Sequence, residues 1–274
     1  MENKLNFVFW GTPDVASETL EILKEAQYMP SLIVTSPDRA QGRKMLVTPP
    51  PAKVWAMENN IPFIQPEKLG QKDFEDNYDL FIVAAYGKII PEKILHMPKL
   101  GSINIHYSLL PKYRGASPVE SAILNGDTET GVTIQKMEYK MDTGPVIAVE
   151  KTQISPDEKA PELRKRLIQQ GGELLVKTLS KLLSGEIKET IQNEAEATYS
   201  TKIKKEDGLI DLSDDPTKNY NKFRAYATWP RTFFFNPPTG GGKRIIITKA
   251  KLENGKFMIE KIIPENGKES DYRD

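Results

Sequence analysis

Cysteine is absent from the 274 residues, and histidine occurs only as His96 and His106. The first absence removes disulfide scaffolds, thiol nucleophiles, iron–sulfur clusters and cysteine zinc sites. The second removes histidine-rich metal sites, so no metal is expected. Any chemistry must draw on carboxylates, amides, hydroxyls, amines or one imidazole. Long apolar runs are missing too: nothing approaches the ~18 residues of a membrane span. The opening Met1-Glu2-Asn3-Lys4 leads into an apolar stretch too short for a signal peptide. A cytoplasmic monomer without a membrane partner is expected. An excess of charge is also lacking, because Lys plus Arg and Asp plus Glu both number 38. The distribution says slightly more: from 199 to 274, 15 basic residues face 11 acidic ones. That asymmetry suits a catalytic body with a more basic appendage touching a polyanion, although ordinary scatter accounts for it equally well.

What is present fits a soluble globular chain: 38% hydrophobic and 28% charged residues, with 18 Gly and 20 Pro in no periodic arrangement. Leu5 to Trp10 is β-prone and ends at Gly11. Thr12-Pro13-Asp14 then offers a capping residue, a helix-compatible proline and an acid near the positive helix end. Leu32 to Thr35 reads as the next strand, Trp55 lies on a helix, Pro62 to Ile64 is extended, and Leu80 to Ala85 is a fully apolar strand of the buried parallel kind. Strands alternating with helices imply an α/β fold with a Rossmann-like, mostly parallel sheet and helices on both faces. Ser117-Pro118-Val119-Glu120 has capping-box spacing, and a helix from Pro161 to Leu183 is expected to break at Gly171-Gly172. The expected organisation is a catalytic domain over 1–189, a polar linker over 190–206, and a small β-rich domain over 207–274.

Chemistry concentrates at the strand Ser102-Ile103-Asn104-Ile105-His106. Its strict alternation projects Asn104 and His106 from one face and both isoleucines from the other. In open α/β sheets ligands bind beyond the carboxyl ends of strands, so an amide and an imidazole there are placed for a reacting carbonyl. Taken alone, His106 fits a structural strand histidine as well. Asp142, in Met141-Asp142-Thr143-Gly144, fits either a partner for an imidazole or an Asx-turn. Gly11-Thr12-Pro13 is too sparse for a dinucleotide fingerprint, which excludes a bound nicotinamide. Gly240-Gly241-Gly242-Lys243-Arg244 lacks the Ser or Thr of a phosphate loop and reads as a hairpin tip. The long excursion Ser36 to Lys44 carries Arg39, Arg43 and Lys44, suited to phosphate contacts or to simple solvation.

Several motifs in order then carry a resemblance. Asn104-Ile105-His106-Tyr107-Ser108-Leu109-Leu110-Pro111, Arg114-Gly115-Ala116-Ser117-Pro118, Gly131-Val132-Thr133-Ile134 and Met141-Asp142-Thr143-Gly144 resemble the signature of folate-dependent formyltransferases. Gly11-Thr12-Pro13-Asp14, Pro37-Asp38-Arg39 through Gly42-Arg43, the prolines at 49–51 and Lys53 resemble the branch that acts on methionyl-tRNA. The resemblance implies 10-formyltetrahydrofolate as formyl donor and the α-amine of methionine on initiator tRNA as acceptor. It implies Asn104, His106 and Asp142 as catalytic residues, Ser108, Leu109, Leu110 and Pro111 as folate contacts, and Arg39, Arg43 and Lys44 as tRNA contacts. The proton of the attacking amine is expected on His106 or on a water held by Asp142. The tail is expected to be an OB-like barrel, shortened because the family's barrel continues further than Asp274 does here. Tyr107 stands where a small residue is expected, at the mouth of the pocket. Two alternatives remain open on the sequence: an acceptor that is a nucleotide-linked amino sugar, and a noncatalytic folate- or RNA-binding relative.

Overall fold

The apolar run near the start folds as β1 (Phe7–Gly11), every residue of it buried. After it come α1 (Asp14–Glu25), β2 (Leu32–Val34), β3 (Arg39–Gln41), β4 (Leu46–Thr48), α2 (Pro51–Glu58), β5 (Phe63–Ile64), β6 (Leu80–Ala84), α3 (Glu92–Leu95) and β7 (Ser102–His106). The chain continues through β8 (Arg114–Gly115), α4 (Pro118–Leu124), β9 (Glu129–Lys136), β10 (Val146–Gln153), α5 (Ala160–Ser184), β11 (Tyr199–Ser200) and α6 (Pro216–Ala225). It ends in β12 (Phe233–Asn236), β13 (Lys243–Glu253), β14 (Lys256–Pro264) and β15 (Ser270–Asp271). This computed structural model describes residues 5–41, 45–74, 77–236 and 242–273. Among them no helix is long and apolar enough to cross a membrane.

A seven-stranded sheet runs in the order β10-β9-β7-β6-β1-β2-β5. The pairs β1/β2, β1/β6, β2/β5 and β6/β7 are parallel, and β7/β9 is antiparallel. The expected mostly parallel sheet with intervening helices is therefore present. Successive residues of a strand face opposite sides, so complete burial of β1 and of β6 means that both faces are covered at the sheet's centre. Trp10, Phe74, Phe81 and Tyr86 form an aromatic cluster within that core.

By their contacts the described residues fall into two compact units. One draws on 1–114, 131–150 and 167–197, the other on 115–130, 151–166 and 198–274. In the second unit β12, β13, β14 and β15 form an antiparallel sheet in chain order, so a β-rich tail is present. Its core joins Tyr220 and Phe223 of α6 to Phe234, Ile245, Ile247 and Ile262. The stretch read as a glycine hairpin tip falls between β12 and β13, which pair with Asn236 opposite Lys243. Gly240 and Gly241 themselves lie outside the described residues.

Several local expectations are corrected. Helix α5 runs unbroken through Gly171 and Gly172. A Cβ on Gly172 would stand 2.5 Å from Ile22 Cδ1, so the glycine marks a close approach of α5 to α1 rather than a break. No side chain caps α1: its N-cap is Pro13, and the Thr12 hydroxyl is turned to the Tyr86 carbonyl at 3.1 Å and the Ser36 hydroxyl at 3.2 Å. The Ser117–Glu120 capping box does not form either, because the Glu120 carboxylate is taken by Arg164. Tyr107 is not at a pocket mouth. It follows His106 and so points to the isoleucine side of β7, where its buried ring neighbours Gly171 and Ile105. Burial pushes its hydroxyl well above the usual phenol range.

Candidate active site

The site lies entirely within the first compact unit and starts from one register. In the antiparallel pair of β7 with β9, Asn104 faces Gln135 and His106 faces Thr133. Cross-strand partners point to the same side of a sheet. Asn104, His106, Thr133 and Gln135 therefore form a polar patch of four side chains on one face, while Ile103, Ile105 and Ile134 go to the other. The side-chain amide of half-buried Asn104 has no hydrogen-bond partner among the described residues. It is a donor on the open side of the patch.

His106 is only 5% exposed. Its Nε2 lies 3.0 Å from the Tyr113 carbonyl, which can only accept, so Nε2 carries a hydrogen. That leaves Nδ1 directed at Asp142, with Oδ2 at 3.7 Å. This is beyond hydrogen-bond length but within the range of an ion pair. The other oxygen, Oδ1, accepts from Gln135 Nε2 at 2.9 Å. Asp142 itself has φ 54°, in the left-handed region that non-glycine residues seldom occupy. The chain brings the Asp142 carboxylate to within 3.7 Å of His106, and Gln135, the cross-strand partner of Asn104, bonds that same carboxylate. His96 is exposed at the end of α3 and plays no part.

Ser108 to Pro111 leave the end of β7 as a short ledge. The Thr133 hydroxyl donates to the Ser108 carbonyl at 2.7 Å and accepts from the Leu110 backbone N–H at 3.2 Å. The Ser108 hydroxyl donates to the Lys112 carbonyl at 2.6 Å. One strand hydroxyl thus holds Ser108 and Leu110 of the ledge beside His106, and Leu109, Leu110 and Pro111 stay half-buried. The result is an apolar, partly open surface next to an imidazole.

Arg39 begins β3 and is exposed. Arg43 and Lys44 lie outside the described residues. The root of this excursion is tied to the body: Asp38 takes Lys53 Nζ at 2.7 Å, and Gln65 Nε2 reaches both Asp38 and the Ser36 carbonyl at 2.7 Å. The Lys53 ammonium holds the Asp38 carboxyl below its usual range, with Gln65 assisting.

Sequence reasoning missed Gln135, Thr133, Tyr113 and Gln192. Alternation along Val132-Thr133-Ile134-Gln135 would have placed Thr133 and Gln135 on one face. Only the register of β9 against β7 shows that this is the face of Asn104 and His106.

The formyl transferase family model matches residues 3–179, and the model of the formyl transferase C-terminal domain matches 202–269. The methionyl-tRNA formyltransferase of Thermotoga maritima is 43% identical over 85% of this chain and 76% of its own length. That of Geobacter sulfurreducens is 40% identical over 84% of this chain and 74% of its own. Two solved structures share the fold at lower identity. An N-formyltransferase from Helicobacter canadensis, in complex with folinic acid and dTDP-3-aminofucose, has a TM-score of 0.68 and 20% identity over 95% of both chains. The methionyl-tRNA formyltransferase from Clostridium thermocellum has a TM-score of 0.62 and 17% identity over 95% of this chain and 99% of that one. Two domain models matched in order, and relatives at this identity across most of the sequence, place this chain in the formyl transferase family.

Proposed function

We propose that this protein transfers the formyl group of 10-formyltetrahydrofolate to the α-amino group of methionine on initiator methionyl-tRNA, a step of translation initiation carried out in the cytoplasm by a monomer. The observation that carries the acceptor is the identity of 43% and 40%, across most of the chain, to relatives named methionyl-tRNA formyltransferase. The polar patch on β7 and β9 supports the chemistry.

The folate supplies the formyl carbon, and the chain's own residues hold it, orient it and meet the charge that develops. Leu109, Leu110 and Pro111 pack on the faces of the folate's rings at the end of β7, within reach of the polar patch. As the amine nitrogen bonds to the formyl carbon, negative charge builds on the formyl oxygen, and the unengaged Asn104 amide is the donor placed to meet it; collapse of the adduct breaks the bond from the formyl carbon to the folate nitrogen, which leaves with a proton. A donor in that role contributes about 3 to 4 kcal/mol. Both nitrogens of His106 are turned to protein groups, Nε2 to the Tyr113 carbonyl and Nδ1 to Asp142. The imidazole therefore orients and balances charge, and the amine proton passes towards Asp142 Oδ2, directly or through a water, where Nδ1 shares it. Arg39 extends from the rooted excursion to meet the phosphates of the acceptor, and Arg43 and Lys44, which follow it in sequence, are proposed as further phosphate contacts.

The experiment is incubation of the purified chain with 10-formyltetrahydrofolate and either methionyl-tRNA or amino-sugar nucleotides. Formyl-methionine on tRNA supports the proposal. Transfer to the sugar alone refutes it, and transfer to neither would point to a noncatalytic relative.

A further inference from the structure

The segment after α5 reverses the usual rule of burial. Ile191 is 87% exposed, whereas its polar neighbour Gln192 is 8% exposed. The chain turns the isoleucine out and the amide in because the amide has specific partners. Thr190 and Val146 exchange two backbone hydrogen bonds, each 2.8 Å, which sets the register two residues ahead of Gln192. Gln192 Nε2 then donates to the Gly144 carbonyl at 2.7 Å and the Asp142 carbonyl at 2.9 Å, with the Gln135 Oε1 at 3.3 Å. Its Oε1 accepts from Arg114 Nε at 3.1 Å and Nη2 at 2.8 Å. The amide orientation is forced: flipped, it would set an oxygen against three acceptors and an NH2 against a guanidinium. Arg114, 1% exposed, completes its pairing with Glu194, whose carboxyl its guanidinium holds below the usual range.

We propose that Gln192, held in place by Arg114, is a positioning residue for formyl transfer: it clamps the Asp142–Gly144 turn and so fixes the Asp142 carboxylate opposite His106. Three features converge on this role. Asp142 sits in a backbone conformation that needs support from outside the turn. Its carbonyl and that of Gly144 are both gripped by one side-chain amide, while its carboxylate is gripped by Gln135, the neighbour of that same amide. A Cβ on Gly144 would collide with the Lys136 carbonyl, so the turn is pressed against β9 and has one tight seat. Gln192 itself comes from between the two stretches matched by the family models, within 190–206, the stretch the sequence suggests as a linker. The inference rests on the formyl-transfer reading for its kinetic consequence and on the geometry alone for the link to His106.

The experiment uses the full chain with Gln192→Met, which keeps length and loses both donors, and with Arg114→Lys. Transfer to methionyl-tRNA is measured at saturating substrates, together with KM for each substrate. NMR titration of the His106 ring, distinguished from His96 by a His96→Gln reference, gives a readout independent of turnover. Gln192→Met is expected to lower kcat at least about tenfold with KM for both substrates within about twofold, since small misplacement of a reacting group has effects of that order. Its His106 titration moves relative to the parent. Arg114→Lys is expected to lower kcat less, and to add nothing in the double variant, because Arg114 acts through Gln192. If Gln192→Met fails to fold, Gln192→Asn, which keeps the amide on a shorter stem, should show the same direction of change. A folded Gln192 variant with kcat within about twofold of the parent and an unmoved His106 titration overturns the proposal. Additive losses in the double variant overturn the Arg114 part of it. If the parent transfers formyl to neither acceptor but the His106 titration still moves in Gln192→Met, the functional reading fails and the clamp stands.

Discussion

The side chains on the open face of β7 differ in how completely the protein has engaged them, and this sets the expected effect of each substitution. Asn104 is unengaged among the described residues, so Asn104→Ala removes a donor without orphaning a partner. His106 is held at both nitrogens, so His106→Ala removes a group and leaves the Tyr113 carbonyl and Asp142 without it. Each substitution is expected to lower turnover at least about a hundredfold, near 2.7 kcal/mol, with the larger loss of stability in His106→Ala. Single-turnover transfer and thermal unfolding of the same preparations check this; a near-parental single-turnover rate in a folded Asn104→Ala protein removes it from the mechanism. Asp142→Asn keeps the turn, its backbone clamp and one hydrogen-bonding oxygen, but loses the charge opposite Nδ1. Its rate should fall and its pH–rate profile should change shape, whereas a profile matching the parent would leave Asp142 a turn residue. At this scale the sequence is informative about residue types and faces. Asn104 and His106 share a face by strand alternation alone, whereas the meeting of His106 with Asp142, 36 positions away, is a tertiary event.

Among the elements, α5 and the excursion after β2 show opposite ways in which local signals mislead or inform. Two consecutive glycines inside a helical pattern read as a break, because glycine is a poor helix former by about 1 kcal/mol. Here the helix survives because contact with α1 and the underside of the sheet outweighs that cost, and the glycines permit the contact. Gly172→Ala, normally favourable in a helix, is therefore expected to destabilise by about 1 to 3 kcal/mol through overpacking, with partial recovery in the double variant with Ile22→Val, which lacks the Cδ1 nearest the new methyl. Denaturant midpoints of the three proteins measure it; a stabilised single variant would mean that α5 and α1 separate easily. For the excursion, Arg39→Ala should weaken use of methionyl-tRNA and leave folate affinity unchanged, since Arg39 is exposed and the root at Asp38, Lys53 and Gln65 stays intact. Equal losses in tRNA kinetics and in folate titration would mean that the excursion shapes the pocket instead. The root has a pH dependence of known sign. The Asp38 carboxyl is depressed in the fold by Lys53, so its contribution is fully present above the ordinary aspartate range and is lost as pH falls through the depressed value. Hydrogen exchange near β3 should rise in that acidic window, and a Lys53→Met protein should show the rise at higher pH.

For the whole molecule, the question is what the basic excess beyond residue 198 can do. Part of it is already spoken for: Lys249 and Lys251 share Glu260, Lys251 also reaches Glu253, and Lys261 lies near Glu269. Lys202, Lys204 and Lys205 are exposed, and their ammonium groups have no ion-pair partner among the described residues. Replacing these three with Glu in the full chain should weaken tRNA binding modestly and flatten its salt dependence, as expected for a few phosphate contacts, while slow folate-dependent transfer to a small amine is retained. Unchanged tRNA affinity at two salt concentrations would show that this segment does not touch the acceptor. Removing the tail would be a poorer test. Within its compact unit the Tyr220 hydroxyl bonds Asp157 at 2.8 Å, Arg224 reaches the Glu158 carbonyl at 3.2 Å, and α6 packs on α4, so truncation would uncover residues that belong to the same core. The sequence by itself determined the alternation of strands and helices, the strand bearing Asn104 and His106, the ledge that follows it and the β-rich character of the tail. All of these stem from short-range periodicity and backbone preference, which act within a few residues. Only the tertiary structure decided that β9 sets Gln135 and Thr133 beside that strand, that Asp142 faces the imidazole, and that a buried amide from the apparent linker grips its turn. Strand register and polar burial are settled by which distant surfaces pack together, and no local pattern in Gln192 or Arg114 encodes their partners.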